Sequence, residues 1–134
     1  MKKTVISAVV LTLIAATTAC QKSIEQQAAD EARTYTAKNC PVDYGDGLVL
    51  DSMTFDEATH TFGYFYTLSG QLDNDSLVGE LSETMRQTVL ENLRNTTSMR
   101  AYKERGYGFH YVYRSAATPD KVLYDLMYFK EDYQ

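Results

Sequence analysis

The amino-acid sequence predicts an α+β domain in which an antiparallel sheet of about four strands packs on one long helix. Three stretches, residues 61–68, 107–114 and 122–129, alternate aromatic or aliphatic side chains with other types at the period of two that a strand requires. Residues 75–95 instead carry an apolar stripe at the period of a helix. Runs of strands around a helix, joined by hairpin-length connections, are typical of antiparallel sheets, so we expect the element order α-β-β-α-α-β-β.

Residues 23–38 predict the first helix. Ser23 is a suitable N-cap, because its hydroxyl can accept a hydrogen bond from the first turn. Apolar side chains follow at spacings of four, four and three residues, at Ile24, Ala28, Ala32 and Tyr35. Pro41 ends the helix, since the residue that precedes a proline avoids the α region.

The next two predicted strands form a hairpin. The alternation is regular in residues 61–68, whereas the apolar positions of residues 48–55 change parity between Leu50 and Met53. A β-bulge near Asp51–Ser52 would reconcile the two halves of this strand, and so would burial on both of its faces. The short connection between the two strands suits a hairpin.

The second half of the chain predicts two helices and two strands. Asp75 or Ser76 can cap the long helix. Its apolar stripe repeats every four residues, at Leu77, Leu81, Met85, Val89 and Leu93. A shorter helix is expected from Ser98 to Gly106, before the last two strands. We expect the aromatic face of the sheet to pack on the stripe, so that the tyrosines fill the core rather than form an exposed platform for sugars or peptides.

Residues 1–19 have the parts of an export signal. Lys2 and Lys3 form the positive n-region, residues 5–16 are mostly apolar, and three small residues precede Cys20. The apolar run is shorter than the roughly 20 residues that a membrane-spanning helix needs. The sequence therefore predicts a segment that is removed on export.

The stretch ATTAC is similar to the lipobox of bacterial lipoproteins, in which the cysteine thiol is acylated and the chain is cut just before it. Thr17 departs from the Leu, Val or Ile that usually stands at that position. The alternative is an ordinary secretory signal that is cut after Ala19 and leaves a free thiol. We expect acylation of Cys20, a short tether over residues 20–22 and a single α+β domain over residues 23–134.

The predicted anchor indicates where the protein is located. More than one acyl chain, at about 0.8 kcal/mol per buried CH₂, attaches a protein stably to a bilayer. Gln21 stands where an aspartate would favour retention in the inner membrane, so we expect the outer membrane of the bacterial cell envelope. The lipid bilayer is accordingly the first expected partner, through the acylated Cys20.

The charge of the chain argues against nucleic acid as a partner. The whole chain has 13 basic and 18 acidic residues, which gives a net charge of −5. Without Lys2 and Lys3 the balance is 11 against 18, so the exported domain has a net charge of −7. Such a domain repels phosphate backbones, and no basic cluster in the sequence offsets this effect.

Motifs for catalysis, metal binding or a cofactor are missing from the sequence. It contains no G-x-S-x-G, H-E-x-x-H or C-x-x-C, and its two histidines have no ligand spacing around them. We therefore expect no metal and no cofactor. If Cys20 is acylated, Cys40 has no partner for an internal disulfide, and we expect it to be a small buried residue rather than a nucleophile.

Strand positions of the opposite parity form the candidate binding face. Its residues are Phe65, His110, Arg114, Met127 and Phe129, with Asp125 as a cross-strand neighbour of His110. Gly63 and Gly108 are expected to leave this face low and accessible. The function that follows is that of a membrane-anchored envelope lipoprotein, a non-enzymatic binding module for another envelope protein, a peptide or a glycan.

The alternative function is a small hydrolase-like enzyme or an enzyme inhibitor. His110 and Asp125 can form a pair that orients a base, with Arg114 on the same face. Convergence of the three side chains in a concave pocket would favour the enzyme, whereas a flat arrangement would remove its basis. A further alternative is an assembly subunit that pairs through an edge strand as a homodimer.

Two triplets, DSM and DSL, are similar to the signal that some bacterial envelope proteins use for O-glycosylation of the middle residue. They predict modification at Ser52 and Ser76. Ser52 also lies in a predicted strand and Ser76 at a predicted helix cap, so a structural role is the alternative for each of them.

Two longer runs resemble small bacterial envelope proteins of unknown function. They are NCPVDYGDGLVLDSMTFDEATHTFGYFYTL and ERGYGFHYVYR, which lie on either side of the long helix. The shared pattern is a proline after a first helix, an LDS strand, a Y-x-Y strand and an aromatic strand that starts at a glycine. The resemblance covers most of residues 35–129 and implies the α+β layout and export, but no catalytic residue and no substrate.

Overall fold

A computed structural model describes residues 21–134 of the chain, so the predicted signal and Cys20 lie outside the described residues. The described part contains five strands and four α-helices, and none of these helices has the length and apolar character of a membrane span. Their bounds are α1 Ile24–Asn39, β1 Val42–Asp43, β2 Leu48–Asp56, β3 Thr61–Leu68, α2 Asp75–Asn95, α3 Arg100–Glu104, β4 Gly108–Ser115, β5 Val122–Tyr128 and α4 Lys130–Tyr133.

The five strands form one mixed sheet in the order β1-β2-β3-β4-β5. Three neighbouring pairs are antiparallel, but β3 and β4 are parallel. The prediction of an antiparallel sheet of four strands is wrong here, because α2 and α3 carry the chain back across the sheet before β4 begins. The additional strand β1 contains only Val42 and Asp43, which is too short to give an alternating pattern.

The irregular strand β2 contains the predicted bulge. Its register with β3 shifts between Leu50 and Ser52, so Asp51 has no partner on β3. The extra residue allows both Leu50 and Met53 to face the helices, where both are buried. The Asp51 carboxylate accepts a hydrogen bond of 2.6 Å from the hydroxyl of Thr67.

Two long helices rather than one lie on the same face of the sheet. α1 packs on β2 and α2 on β5, so the expectation of a single long helix is corrected. α1 starts as predicted, because the hydroxyl of Ser23 accepts from the N–H of Gln26, whose side chain accepts from the N–H of Ser23. α2 is capped by Asn74 and not by Asp75 or Ser76.

The core between helices and sheet is closed at one end of the sheet. Phe62 of β3, Phe109 of β4 and Tyr128 of β5 are fully buried there. The short helices cover this end, because Tyr102 of α3 packs edge-on against Phe62 and Tyr133 of α4 against Phe109. At the other end, where β3 ends at Leu68 and β4 at Ser115, a single 3-10 turn over Gly70–Leu72 follows β3.

Candidate functional site

A groove opens between α1 and α2 at that other end. α1 lies over β2 and α2 over β5, so the central strands β3 and β4 form a floor between the two helices. The cavity has a volume of about 460 Å³, within the range of roughly 300–1,000 Å³ that is usual for ligand pockets. We call it the tyrosine groove, after its floor residues Tyr64, Tyr66, Tyr111 and Tyr113.

The floor consists of two stacked tyrosine pairs. Tyr64 pairs with Tyr111, and Tyr66 with Tyr113, across the two parallel strands. The ring centroids lie 4.7 Å and 4.6 Å apart, and the ring planes differ by only 8° and 7°. Stacking of this kind adds to the energy of burying the rings. The four floor tyrosines therefore form two stacked pairs at successive core-facing positions of the same two strands.

Within residues 21–134 the hydroxyls of the floor tyrosines have no hydrogen-bond partner. Every fully buried side-chain oxygen of these residues does have a partner, so the four hydroxyls are not sealed in the core. Other tyrosine hydroxyls donate to protein oxygens, namely those of Tyr102, Tyr107, Tyr128 and Tyr133. The groove therefore offers four hydroxyls to whatever enters it.

Burial of the rings disfavours ionisation of these hydroxyls. It raises the pKa of all four floor tyrosines well above the ordinary value of 10, because the low-polarity surroundings disfavour the phenolate. Neighbouring phenols and, for Tyr64, the carboxylate of Glu31 raise the pKa further. The floor therefore presents neutral hydrogen-bond donors at physiological pH.

The walls of the groove come from both long helices and the α2–α3 loop. Val89 and Leu93 of α2 and Met99 of the loop supply apolar surface. Tyr35 and Tyr44 lie at the rim and are 37% and 56% exposed. The polar members of the rim are Glu31, Asn92, Thr96 and Ser98. The groove thus has an aromatic floor with neutral hydroxyls, apolar walls and a largely polar rim.

Sequence reasoning placed the floor tyrosines in the closed core and missed the groove. A signal exists in the sequence, since the core-facing position changes from Phe62 to Tyr64 along β3 and from Phe109 to Tyr111 along β4. Both phenylalanines are fully buried, whereas both tyrosines are half-buried. A phenol in a closed core needs a partner for its hydroxyl, so the change from Phe to Tyr marks the place where the core opens.

The predicted binding face lies on the opposite side of the sheet, which none of the described helices covers. The strand register brings five of the six predicted residues to this side, namely Phe65, His110, Arg114, Asp125 and Met127. The sixth, Phe129, follows the end of β5 and is 55% exposed. The use of this face for a ligand or partner stays a prediction.

The two glycines of this face do not leave the backbone accessible. A Cβ atom at Gly63 would lie 2.5 Å from Thr54 Oγ1 and 2.9 Å from the ring of Phe65. A Cβ atom at Gly108 would lie 2.7 Å from the terminal methyl of Met127. The expectation of an accessible surface is wrong at these positions, because neighbouring side chains lie over the backbone that the glycines expose.

The predicted pair of His110 and Asp125 is present. Nε2 of His110 lies 2.6 Å from Oδ1 of Asp125, whose side chain is 61% exposed. Arg114 lies four residues further along β4 and forms no ion pair with any of the described residues. None of the three lines the tyrosine groove, the candidate site described above. The hypothesis of an enzyme or inhibitor at these residues stays a prediction.

Three other residues from the sequence analysis have ordinary structural positions. Ser52 is half-buried in β2, next to the bulge, and Ser76 is exposed in the first turn of α2. Their O-glycosylation stays a prediction. Cys40 is a half-buried free thiol directly after α1. Among residues 21–134 no three or more His, Cys, Asp or Glu side chains come together as they would around a metal ion.

Solved structures of other proteins share this fold. One is a candidate secreted protein from Pseudomonas aeruginosa, with a TM-score of 0.66 and 8% sequence identity over 85% of this chain and 100% of that chain. The pilotin EpsS of the Vibrio vulnificus type 2 secretion system has a TM-score of 0.62 and 15% identity over 82% of this chain and 91% of its own. The type II secretion pilotin AspS of Vibrio cholerae has a TM-score of 0.57 and 14% identity over 81% of this chain and 90% of its own. At these identities the likeness establishes the fold alone.

Comparison of the sequence itself establishes the family. No curated protein matches the chain at a significant level. Residues 23–124, which include every residue that lines the tyrosine groove, match a family described as a domain of unknown function, DUF8479. The matched region is well over half of the chain, and the chain therefore belongs to the DUF8479 family.

Proposed function

We propose that this protein is a lipid-anchored protein of the bacterial cell envelope that binds a segment of another envelope protein in its tyrosine groove, without catalysing a reaction. The observation that carries the proposal is the groove floor, with two stacked tyrosine pairs and free hydroxyls between two helices. Tyrosine is enriched at the centres of protein interfaces, where it combines apolar area with a hydrogen-bonding group. An aromatic floor with hydrogen-bonding hydroxyls, set within a polar rim, suits a polypeptide ligand.

The occupant that fits this groove is an amphipathic helix of the partner. A helix laid between α1 and α2 can press its apolar side onto the Tyr64–Tyr111 pair while its polar side faces the rim and solvent. Met99 at the groove wall is a flexible apolar contact of the kind that helix-binding grooves often use. Such an interface needs no change in the sheet beneath it.

Support for an envelope location comes from the sequence and from the fold. The N-terminal residues predict export and acylation of Cys20. Because α1 begins at Ile24, the tether would be about three residues, or roughly 10 Å, long. Such a tether would hold the domain beside the outer membrane. Two proteins that share the fold are pilotins of type 2 secretion systems. We therefore propose a protein of an envelope secretion or assembly machinery as the partner.

Site-specific photo-crosslinking in cells of the native host tests the groove. A photoreactive phenylalanine analogue at Tyr44, on the groove rim, is expected to crosslink one envelope protein, whose purified segment should then bind the full chain. The analogue at Thr54 is the matched control, because Thr54 is equally an exposed position but lies on the other face of the sheet. The substitutions Tyr64→Ala and Tyr111→Ala together should remove the crosslink.

Two outcomes would contradict the groove as the binding site. One is an equal crosslink from both faces of the sheet, and the other is a crosslink that survives the double substitution. Circular dichroism shows whether the double variant is folded. If it is not, Tyr35→Ala at the rim replaces it, because this side chain is exposed and its loss leaves the core intact.

Intact mass and cell fractionation test the anchor. The mature protein is expected to lack residues 1–19 and to carry acyl chains on Cys20, and Cys20→Ser is expected to leave the membrane fraction. An unmodified Cys20 in the mature protein would contradict the anchor but not the groove. Light scattering of the same samples tests the predicted homodimer, for which β5 is available as a strand at the edge of the sheet.

A further inference from the structure

Among residues 21–134, Glu31 is the one charged side chain that lines the tyrosine groove. It lies on α1, one helical turn before Tyr35, and it is exposed. None of the ion pairs among residues 21–134 includes it. The described part of the chain therefore gives the groove a single charged group, and that charge is negative.

Tyr102 holds this carboxylate in place. Its hydroxyl donates a hydrogen bond of 2.5 Å to Oε2 of Glu31, and its ring is buried against Phe62. Within the described residues the second oxygen, Oε1, has no hydrogen-bond partner. The carboxylate also acts on the floor, because its charge adds to the effect of burial in raising the pKa of Tyr64. A carboxylate held by Tyr102, with its other oxygen free within the described residues, thus lines the groove near Tyr64.

We infer that Glu31 selects the partner segment by charge: the segment carries a lysine or arginine that pairs with the free oxygen of Glu31 and fixes the direction in which the segment lies. This inference rests on the proposed function and adds the chemistry of the partner to it. The net charge of −7 on the exported domain acts in the same sense, because opposite charges speed association.

A segment without a cation is disfavoured at this position. An apolar segment over Glu31 removes water from the free carboxylate oxygen, and a carboxylate that loses water without gaining a partner is unfavourable. Lysine or arginine replaces the lost water with charge-assisted hydrogen bonds. The rings of Tyr35 and Tyr64, which line the same part of the groove, can receive the cation on their faces as well. Glu31 therefore disfavours segments that lack a cation as well as attracting segments that carry one.

Selection from a displayed library of random 18-residue peptides tests the inference. The bait is the full chain in lipid nanodiscs, and peptides that also bind the Tyr64→Ala/Tyr111→Ala variant are discarded. The remaining peptides are expected to share apolar positions at helical spacing and one lysine or arginine at a fixed place among them. With Glu31→Lys as the bait, that place should hold Asp or Glu, and the peptides selected on the native protein should bind about tenfold more weakly or worse.

Two further variants separate Glu31 from general effects. Glu91→Lys changes the net charge by the same amount at an exposed position of α2 that does not line the groove, so it should change neither the affinity nor the selected residue. Glu31→Gln leaves Tyr102 an acceptor and should remove the preference for a cation without reversing it. Thermal unfolding of each variant establishes that the fold is kept.

The possible results distinguish the inference from the function on which it rests. Groove-binding peptides without a charge preference at any position would overturn the role of Glu31 and leave the groove as a binding site. An equal loss of affinity in Glu91→Lys would overturn it too, because the effect would then belong to the net charge. A selection that yields no peptide dependent on the floor tyrosines would overturn the proposed function itself.

Discussion

Tyr64 of β3 and Tyr111 of β4 stand at paired positions of two parallel strands, with ring planes 8° apart and centroids 4.7 Å apart. This relationship depends on the topology of the chain. Because α2 and α3 return the chain to the same end of the sheet, the two aromatic strands run in the same direction and their core-facing positions come into register. The floor of the groove is therefore a product of the crossover as much as of the aromatic residues themselves.

Removal of one floor hydroxyl should leave the stability of the fold unchanged. In Tyr64→Phe the stacked ring remains and the lost hydroxyl has no partner within the described chain, so we expect the free energy of unfolding to change by less than about 0.5 kcal/mol. Urea denaturation, followed by far-ultraviolet circular dichroism, measures this change. The comparison needs a tyrosine whose hydroxyl does have a partner.

Tyr128→Phe provides that comparison. The hydroxyl of Tyr128 donates a hydrogen bond of 2.7 Å to the carbonyl oxygen of Arg86, so its loss should lower the free energy of unfolding by about 0.5–1.5 kcal/mol. If Tyr64→Phe and Tyr128→Phe lost equal stability, the hydroxyl of Tyr64 would be part of the fold and would not be available to a ligand.

Two glycines should respond in opposite directions to the same substitution. Gly79 lies in α2, and a Cβ there meets no atom within 4 Å, so Gly79→Ala should raise the free energy of unfolding by about 0.5–1 kcal/mol. Gly63→Ala should lower it by about 1–3 kcal/mol, because Phe65 and Thr54 would have to move. Thermal and urea unfolding measure both. A stabilising Gly63→Ala would show that Phe65 does not lie over β3 as described.

Lys103 stabilises the C-terminal end of α2. Its ammonium donates to three main-chain carbonyl oxygens at 2.7–3.0 Å, those of Leu93, Arg94 and Thr96. Helix ends leave such carbonyls without partners and attract positive charge, so Lys103→Met should lower the free energy of unfolding by about 1.5–3 kcal/mol.

The matched control for Lys103 is Lys121, which has a single exposed ion pair. Lys121→Met should change the free energy of unfolding by less than about 0.5 kcal/mol, because an exposed pair competes with water and salt. Urea denaturation of both variants at two salt concentrations measures the difference. Equal effects of the two substitutions would mean that water replaces the three bonds of Lys103 at no cost.

Features that depend on neighbouring residues could be predicted from the sequence. Ser23 and Gln26 form a cap because they are three residues apart, and the bulge at Asp51 follows from a local change of parity. The direction of β4 could not be predicted in this way. Whether a strand that follows two helices pairs in parallel or antiparallel depends on where the crossover brings it, and no short stretch of sequence determines that.

The groove depends on the distance between two helices, which is a long-range property. Ala28 and Ala32 are almost fully buried, so α1 can approach β2 closely, while the buried Val89 and Leu93 hold α2 over β5 on the same face of the sheet. Each helix contacts a different strand, and the gap between them appears only when both are in place. The predicted face on the other side of the sheet rested on strand parity alone, which does not reveal where the helices leave the sheet open.

Alkaline titration should ionise the buried tyrosines in a single step, as the chain unfolds. Burial raises the pKa of Tyr133 to about 12, and it raises the pKa of Tyr64 and Tyr111 well above the ordinary value of 10. A phenol with a raised pKa keeps its proton in the folded state after the unfolded chain, with a pKa of about 10, has released it. The stability that these groups contribute is therefore complete below pH 10 and is lost as the pH rises above that value. Tyrosinate absorbance should rise and the near-ultraviolet circular dichroism should be lost in one common transition.

The double variant Tyr64→Phe/Tyr111→Phe separates this effect from alkaline unfolding in general. It removes two phenols that resist ionisation and removes no hydrogen bond of the described fold, so its stability at neutral pH should equal that of the native chain while its alkaline midpoint should be higher. Gradual formation of tyrosinate with unchanged near-ultraviolet circular dichroism would instead show that water reaches the floor freely, and the groove would then lack the shielded surface that a helix of the partner needs.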